Sequence, residues 1–187
     1  IRTAHNHPAP GQLDVCDEEG MMVMAESFDS WAEPKVENGY NRFFADWWKR
    51  DLARLVEYGR GHPSVVMWSV GNEISEQSHK AGAALYAEMQ AFVHSCDRDT
   101  SRPVTAGASY MPAAIETGFI AAMDIPAVTY RLPFYEAMHS AAPRQGSVLG
   151  VETASTVSSR GVYYFPVKVT DRPYHANGQC SGYDVEY

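Results

Sequence analysis

Two kinds of stretch alternate along the chain: short runs that are apolar throughout, and longer ones with an apolar residue every three or four positions. "MMVMAESF" (21–28) and "SVVMWSV" (64–70) are of the first kind. Their length and the lack of a polar face predict strands covered on both sides. "RPVTAG" (102–107), entered through Pro103, "DIPAVTY" (124–130) and "SVLGVET" (147–153) repeat the pattern.

The intervening stretches have helical spacing. In "NRFFADWWKRDLARLVEYGR" (41–60) the apolar positions are Phe43, Phe44, Trp47, Trp48, Leu52, Leu55 and Val56, with Gly59 or Gly61 as the stop. The aromatics of "FFADWW" are read as core. "KAGAALYAEMQAFVHSC" (80–96) places Leu85, Met89, Phe92 and Val93 on one face. "GQLDVCDEEG" (11–20) predicts a helix closed by Gly20. "MPAAIETGFIAAM" (111–123) predicts a weak helix, and "LPFYEAMHSAA" (132–142) a short one with Pro133 in its first turn. The start at Ile1-Arg2-Thr3-Ala4-His5 reads as the middle of a strand, so a piece of a longer protein is expected.

Strand alternating with helix at this spacing means βαβ units and a parallel sheet. No Gly-rich phosphate loop follows a strand, which counts against a nucleotide-binding open sheet. Polar residues cluster instead at the C-terminal ends of successive strands: His5-Asn6, Glu26 with Asp29, Asn72-Glu73, Tyr130 and Glu152. A (β/α)₈ TIM barrel builds its active site there. At about 31 residues per unit, 187 residues hold about six, so the barrel is expected to be incomplete. We expect a partial barrel domain over 1–160. The Tyr-, Gly- and Pro-rich 161–187 is expected to form a long loop leading toward a missing eighth strand.

Composition narrows the partners. The chain is 45% hydrophobic and 20% charged, ordinary for a chain with a substantial core, and its formal net charge is −8. Without a Lys/Arg cluster, neither nucleic acid nor an anionic membrane is an expected partner. No apolar run approaches the roughly 20 residues that cross a bilayer. Cys16, Cys96 and Cys180 are odd in number and widely spaced, indicating neither a disulfide framework nor a zinc site. His62, before Pro63, is read as positioning a turn, and His79, His94 and His139 as surface or satisfied histidines.

The chemistry sits in two carboxylates. "WSVGNE" (68–73) ends an apolar run abruptly in Gly71-Asn72-Glu73, a polar pair with few structural uses at the end of such a strand. Glu152 ends another strand about three units later. Two carboxylates on one barrel rim suit glycoside hydrolysis, which needs a proton donor and a nucleophile or base flanking the glycosidic bond. On the residues alone, Glu26 reads first as a solvated rim residue or helix cap, while Glu152 reads equally as a rim residue and Tyr130 equally as packing.

These stretches also resemble a known family. "RGHPSVVMWSVGNE" (60–73) resembles the acid/base signature of glycoside hydrolase family 2, the β-galactosidase, β-glucuronidase and β-mannosidase group, with Gly61 where the family usually has Asn. "IRTAHNHPAP" with "LDVCDEEGMMVMAESFDSW" (1–31) is similar to the family's preceding region, with Ala25-Glu26 replacing its Asp-Glu pair. "VLGVETASTVSSRGVY" (148–163) looks like the nucleophile strand.

The resemblance implies strands two to seven of a TIM barrel and a retaining mechanism. Glu73 on the fourth strand is then the acid/base and Glu152 on the seventh the nucleophile. Asn72 meets the sugar's 2-hydroxyl, Tyr130 orients the nucleophile, and Arg2 and His5 divide between sugar contact and carboxylate support. Glu26 and Asp29 are placed at the substrate. The Glu-x-His element that holds Mg²⁺ in some members does not occur before residue 60, so neither metal nor cofactor is expected. The Asn-Lys-Gly element of glucuronidases is likewise not seen, which favours β-galactosides over the β-glucuronidase or β-mannosidase alternative. A non-catalytic carbohydrate-binding remnant is the reading from a different class. Expected partners are a carbohydrate substrate, the missing barrel strands and β-sandwich domains of the parent chain, and a second copy in a homo-oligomer. The family implies a bacterial cytoplasmic or periplasmic location.

Overall fold

Five parallel strands lie in chain order in one sheet, each hydrogen-bonded to the next. They are β1 (Val23–Glu26), β2 (Val65–Asn72), β3 (Val104–Ala108), β4 (Ala127–Thr129) and β5 (Leu149–Glu152) in a computed structural model that describes residues 1–97, 102–142 and 147–153. The helices are α1 (Pro10–Glu18), α2 (Asn41–Gly59), α3 (Lys80–Cys96), α4 (Ala113–Glu116) and α5 (Tyr135–Ala141). Strands in sequential parallel order with helical crossovers make an α/β half-barrel, an incomplete TIM barrel. The expected loop over 161–187, and Cys180 within it, lie outside the described residues.

Three expectations are corrected. Residues 1–5 do not form a strand. Only Arg2 bridges Met24, with Thr3 N donating to Met24 O at 3.1 Å and Met24 N to Ile1 O at 2.9 Å. The chain turns away at once, Asn6 N donating to Thr3 O at 3.1 Å. The helix expected over 111–123 is two pieces, α4 and a 3₁₀ turn at Ile120–Ala122. Gly118 between them, at φ +83°, takes a left-handed conformation that no helix continues through. Lastly, only half of "FFADWW" is core: Phe44 and Trp48 are buried, whereas Phe43 and Trp47 face outward on α2. Residues four apart share a helix face, so the four aromatics divide into one inner and one outer pair.

The core joins the outer side of the sheet to its helices. Leu52, Leu55 and Val56 of α2 and Tyr86, Met89 and Val93 of α3 are buried against it. Gly59 lets α2 approach closely, since a Cβ there would stand 2.8 Å from the Trp68 ring. Trp68 is fully buried, and its indole N–H donates to Asp97 at 2.9 Å. Tyr86, outside the expected face of α3, anchors that helix by donating to the Val104 carbonyl at 2.9 Å. Gly20 closes the turn after α1 at φ +67°, as its position predicts. His62 pairs with Asp17 at 2.6 Å and His94 with Asp124 at 2.7 Å, as structural histidines. Cys16 and Cys96 are free thiols. No helix among the described residues is long and apolar enough to cross a membrane.

Candidate active site

The C-terminal ends of the strands carry a connected set of charges. At its centre lies Arg2, supplied by the segment that bridges β1. Its Nε and Nη2 donate to the two oxygens of Glu26 at 2.7 and 2.9 Å. Nη2 also donates to Asn72 Oδ1 at 2.7 Å, and Nη1 to Glu152 Oε1 at 2.6 Å. One planar guanidinium, with its five fixed donors, thus ties the ends of β1, β2 and β5 together. Burial works to lower the Arg2 pKa, but Glu26 and Glu152 outweigh it and the net shift is upward.

Glu26 ends β1 with no exposed surface. Its Oε1 faces His5 Nδ1 at 3.0 Å, and its Oε2 accepts the Ser69 hydroxyl at 2.7 Å. Glu26 has no surface open to solvent, unlike Glu152, so it is neither a solvated rim residue nor placed to touch a substrate. It fixes the groups that can. The hydrogen bond to Glu26 is the main cause of a raised His5 pKa, although burial opposes it. His5 Nε2 lies 3.9 Å from Glu152 Oε1.

Glu152 ends β5 with its side chain 23% exposed. Oε2 accepts the Tyr130 hydroxyl and Oε1 accepts Arg2. Burial pushes the Glu152 pKa up, but the Tyr130 hydrogen bond and Arg2 more than reverse this, holding it below the ordinary carboxylate value. The same contact pushes the Tyr130 pKa up to about 12, so its hydroxyl keeps the proton. Glu73 follows β2 directly and is held differently, its Oε1 accepting the neutral hydroxyl of Thr129. The two carboxylates therefore have unlike surroundings, one beside a cation and a phenol, the other beside an alcohol.

Backbone geometry aims these groups. Glu73 and Tyr130, each just past a strand, have φ of +43° and +58°, and Phe28, two residues past β1, has +74°. Left-handed conformations at residues other than glycine cost of order 1–3 kcal/mol each and cluster where side chains are aimed for function. Gly107 leaves the space into which Asn72, Thr129 and Arg2 project, since a Cβ there would stand 3.2–3.4 Å from all three.

Asp29 accepts from Asn72 Nδ2 at 2.9 Å and from Lys35 Nζ at 2.8 Å. Burial raises its pKa, but Lys35 and Asn72 prevail and the net shift is downward. Lys35 also donates to the Asn72 carbonyl at 2.6 Å. Seven of the eight residues expected at the site, Arg2, His5, Glu26, Asp29, Asn72, Tyr130 and Glu152, are thus joined in one network through Arg2, and Glu73 bonds Thr129 beside it. Sequence reasoning missed Lys35, Thr129 and Ser69. Thr129 and Ser69 are single hydroxyls inside apolar strands, a signal that strand alternation made readable; Lys35 sits in a polar loop and carried none. No cluster of three or more His, Cys, Asp or Glu side chains suited to a metal occurs among the described residues.

Comparison with known proteins gives the family. A β-galactosidase of Bacteroides ovatus, BoGH2A, is 49% identical over 83 residues, covering 44% of this chain and 10% of the relative. A human β-glucuronidase is 33% identical over 109 residues, covering 56% of this chain and 15% of the relative. A crystal structure of a glycosyl hydrolase family 2 member from Bacteroides cellulosilyticus superposes with a TM-score of 0.73 at 35% identity, covering 82% of this chain and 19% of that one. The chain thus spans a tenth to a fifth of the length of these relatives. A family model described as "Glycosyl hydrolases family 2, TIM barrel domain" matches residues 1–141. Parallel half-barrel, rim carboxylates and family match agree: the chain belongs to the TIM barrel domain of glycosyl hydrolase family 2.

Proposed function

We propose that the protein carrying this chain is a retaining, exo-acting β-glycosidase whose substrates are β-galactosides. The observation that carries this reading is the unequal holding of Glu73 and Glu152. A nucleophile must be ionised, and Arg2 with Tyr130 keeps Glu152 so. A proton donor needs freedom from a cation, and Glu73 bonds the Thr129 hydroxyl. Carboxylates whose environments diverge divide the roles of acid and nucleophile.

In the first step a Glu152 oxygen attacks the anomeric carbon. The glycosidic C–O bond breaks as Glu73 passes its proton to the leaving oxygen. In the second step Glu73 takes a proton from water, the resulting hydroxide attacks the same carbon, and the ester bond to Glu152 breaks, restoring both carboxyl groups. Arg2 takes Asn72 Oδ1 and Asp29 one Nδ2 hydrogen, so the second Nδ2 hydrogen is the group left for the sugar's 2-hydroxyl. The galactoside reading draws on the BoGH2A likeness. A glucuronide is the second reading, favoured by relatives named β-glucuronidase.

Intact mass of the protein after exposure to 2-deoxy-2-fluoro-β-galactosyl and -glucuronyl reagents, followed by peptide mapping, tests both. A galactosyl adduct on Glu152 is expected. A glucuronyl adduct on Glu152 selects the second reading, and a label on another carboxylate overturns the role given to Glu152. No adduct from either reagent removes both readings and leaves a different sugar, such as a β-mannoside, or a binding remnant.

A further inference from the structure

The segment between β1 and α2 crosses the end of β2 and is pinned there just before Lys35. Fully buried Trp31 donates its indole N–H to the Val70 carbonyl at 2.8 Å. Glu33 N donates to Glu76 Oε1 at 2.8 Å, in the turn Ser75–Ser78 that follows the strand. A lysine usually keeps its charged head in water. Lys35 instead turns inward, its side chain 22% exposed, and donates to Asp29 Oδ1 at 2.8 Å and to the Asn72 carbonyl at 2.6 Å.

The ammonium thus grips Asn72 from two directions. One bond fixes its backbone carbonyl. The other fixes Asp29 Oδ1, the same oxygen that accepts Asn72 Nδ2 at 2.9 Å. Arg2 holds the Oδ1 end of the Asn72 amide at 2.7 Å, and Asp29 holds the Nδ2 end. The Asp29 side chain is half exposed, and no other Lys or Arg among the described residues pairs with it. Without Lys35, water competes for that carboxylate and the Nδ2 end of the amide loses its stop. Glu73 needs no such help. Its N–H donates to the Gly107 carbonyl at 2.7 Å, and its carboxylate accepts the Thr129 hydroxyl. The grip of Lys35 therefore reaches the reaction through Asn72.

We infer that Lys35 is a positioning residue, which acts on the sugar only by aiming the remaining Nδ2 hydrogen of Asn72 at the 2-hydroxyl. The inference rests on the glycosidase reading above and deepens it, making recognition of the 2-hydroxyl depend on the loop after β1. A contact to that hydroxyl strengthens in the transition state. A misdirected amide therefore costs rate more than binding.

The test is a ratio measured on the intact protein: kcat/KM on 4-nitrophenyl β-galactoside over kcat/KM on its 2-deoxy counterpart. The glucuronide pair replaces it should that sugar label Glu152. Asn72→Ala gives the full worth of the contact. Lys35→Met keeps the apolar stem without the ammonium, and Lys35→Gln serves the same end should the first variant not fold. In the Lys35 variant the ratio is expected to fall roughly tenfold, since misplacing a positioned group by about 1 Å costs up to about 10²-fold. The fall lies in kcat, and rates on the 2-deoxy substrate stay at the wild-type level. An equal loss on both substrates, or an unchanged ratio, in a folded Lys35 variant overturns the inference. So does an Asn72→Ala ratio equal to that of the wild type, and the glycosidase reading survives each of these results. No hydrolysis of either substrate by the wild type removes the glycosidase reading itself, and the inference with it.

Discussion

Thr129 and Tyr130 are neighbours in the chain, and each donates its hydroxyl to a different carboxylate, Thr129 to Glu73 and Tyr130 to Glu152. Consecutive residues of a regular strand point to opposite faces. Here β4 ends at Thr129, and the positive φ of Tyr130 reverses that alternation. One strand end thereby positions both members of the proposed catalytic pair.

Tyr130→Phe keeps the ring and deletes the donor. A hydrogen bond to a charged group contributes about 1.5–3 kcal/mol, so we expect kcat/KM to fall roughly tenfold to a hundredfold. Tyr130 helps to depress the Glu152 pKa, so its loss raises that pKa. The acidic limb of the pH–rate profile then moves to higher pH. A limb that stays in place or moves to lower pH contradicts the assignment of Glu152 as the ionised nucleophile.

Glu73→Ala removes the proposed proton donor without touching Glu152. The first step should survive for aryl galactosides with acidic leaving groups and fall by about 10²–10⁴ for alkyl ones. Added azide, which needs no general base, should restore turnover of the former as galactosyl azide. An equal loss for both classes of leaving group, read from pre-steady-state bursts, argues against the acid role.

Arg2→Ala leaves Glu26 buried and without its cation. Losing one partner of a buried ion pair costs about 3–5 kcal/mol, and urea denaturation should show a loss of that order together with loss of activity. Gly107→Ala separates the two readouts. Its Cβ would press on Asn72, Thr129 and Arg2 at 3.2–3.4 Å, so activity should suffer far more than the urea midpoint. A Gly107→Ala protein with wild-type kcat/KM would show that the spacing around Asn72 is not critical.

Stability should depend on pH at two places. Glu152 and Asp29 have depressed folded-state pKa values, so their contributions are present above the unfolded carboxylate range and lost as pH falls through the folded values. His5 has a raised folded-state pKa, so its contribution is full below its unfolded value and lost as pH rises through the folded one. Thermal midpoints of wild type and His5→Asn should therefore differ most in mildly acidic solution and converge on the alkaline side. A difference that grows with pH reverses the sign and refutes the His5–Glu26 pairing.

Much of this was legible in the chain. The apolar runs at 21–28 and 64–70 became β1 and β2 within three residues, because a strand covered on both faces leaves no other reading of such runs. Glu73 and Glu152 stood out because a carboxylate ending an apolar strand needs a reason. What remained hidden depends on three-dimensional partners. Glu26 looks the same in sequence whether it meets water or Arg2, and only the fold makes it fully buried. Lys35 gains its meaning from the approach of its loop to Asn72, a contact that local periodicity cannot encode. Residues 1–5 misled because an extended, apolar-polar segment can make a single bridge as readily as a ladder.

The bond from Arg2 to Glu152 joins residues 150 positions apart. Neighbouring strands meet through far shorter loops, so the sheet can grow unit by unit, whereas this link needs nearly every unit already in place. Contacts of such sequence separation carry the largest closure cost and govern slow folding. Competence to form a glycosyl-enzyme should therefore be the last property acquired in refolding and the first lost in mild denaturant, while ellipticity remains near its native value.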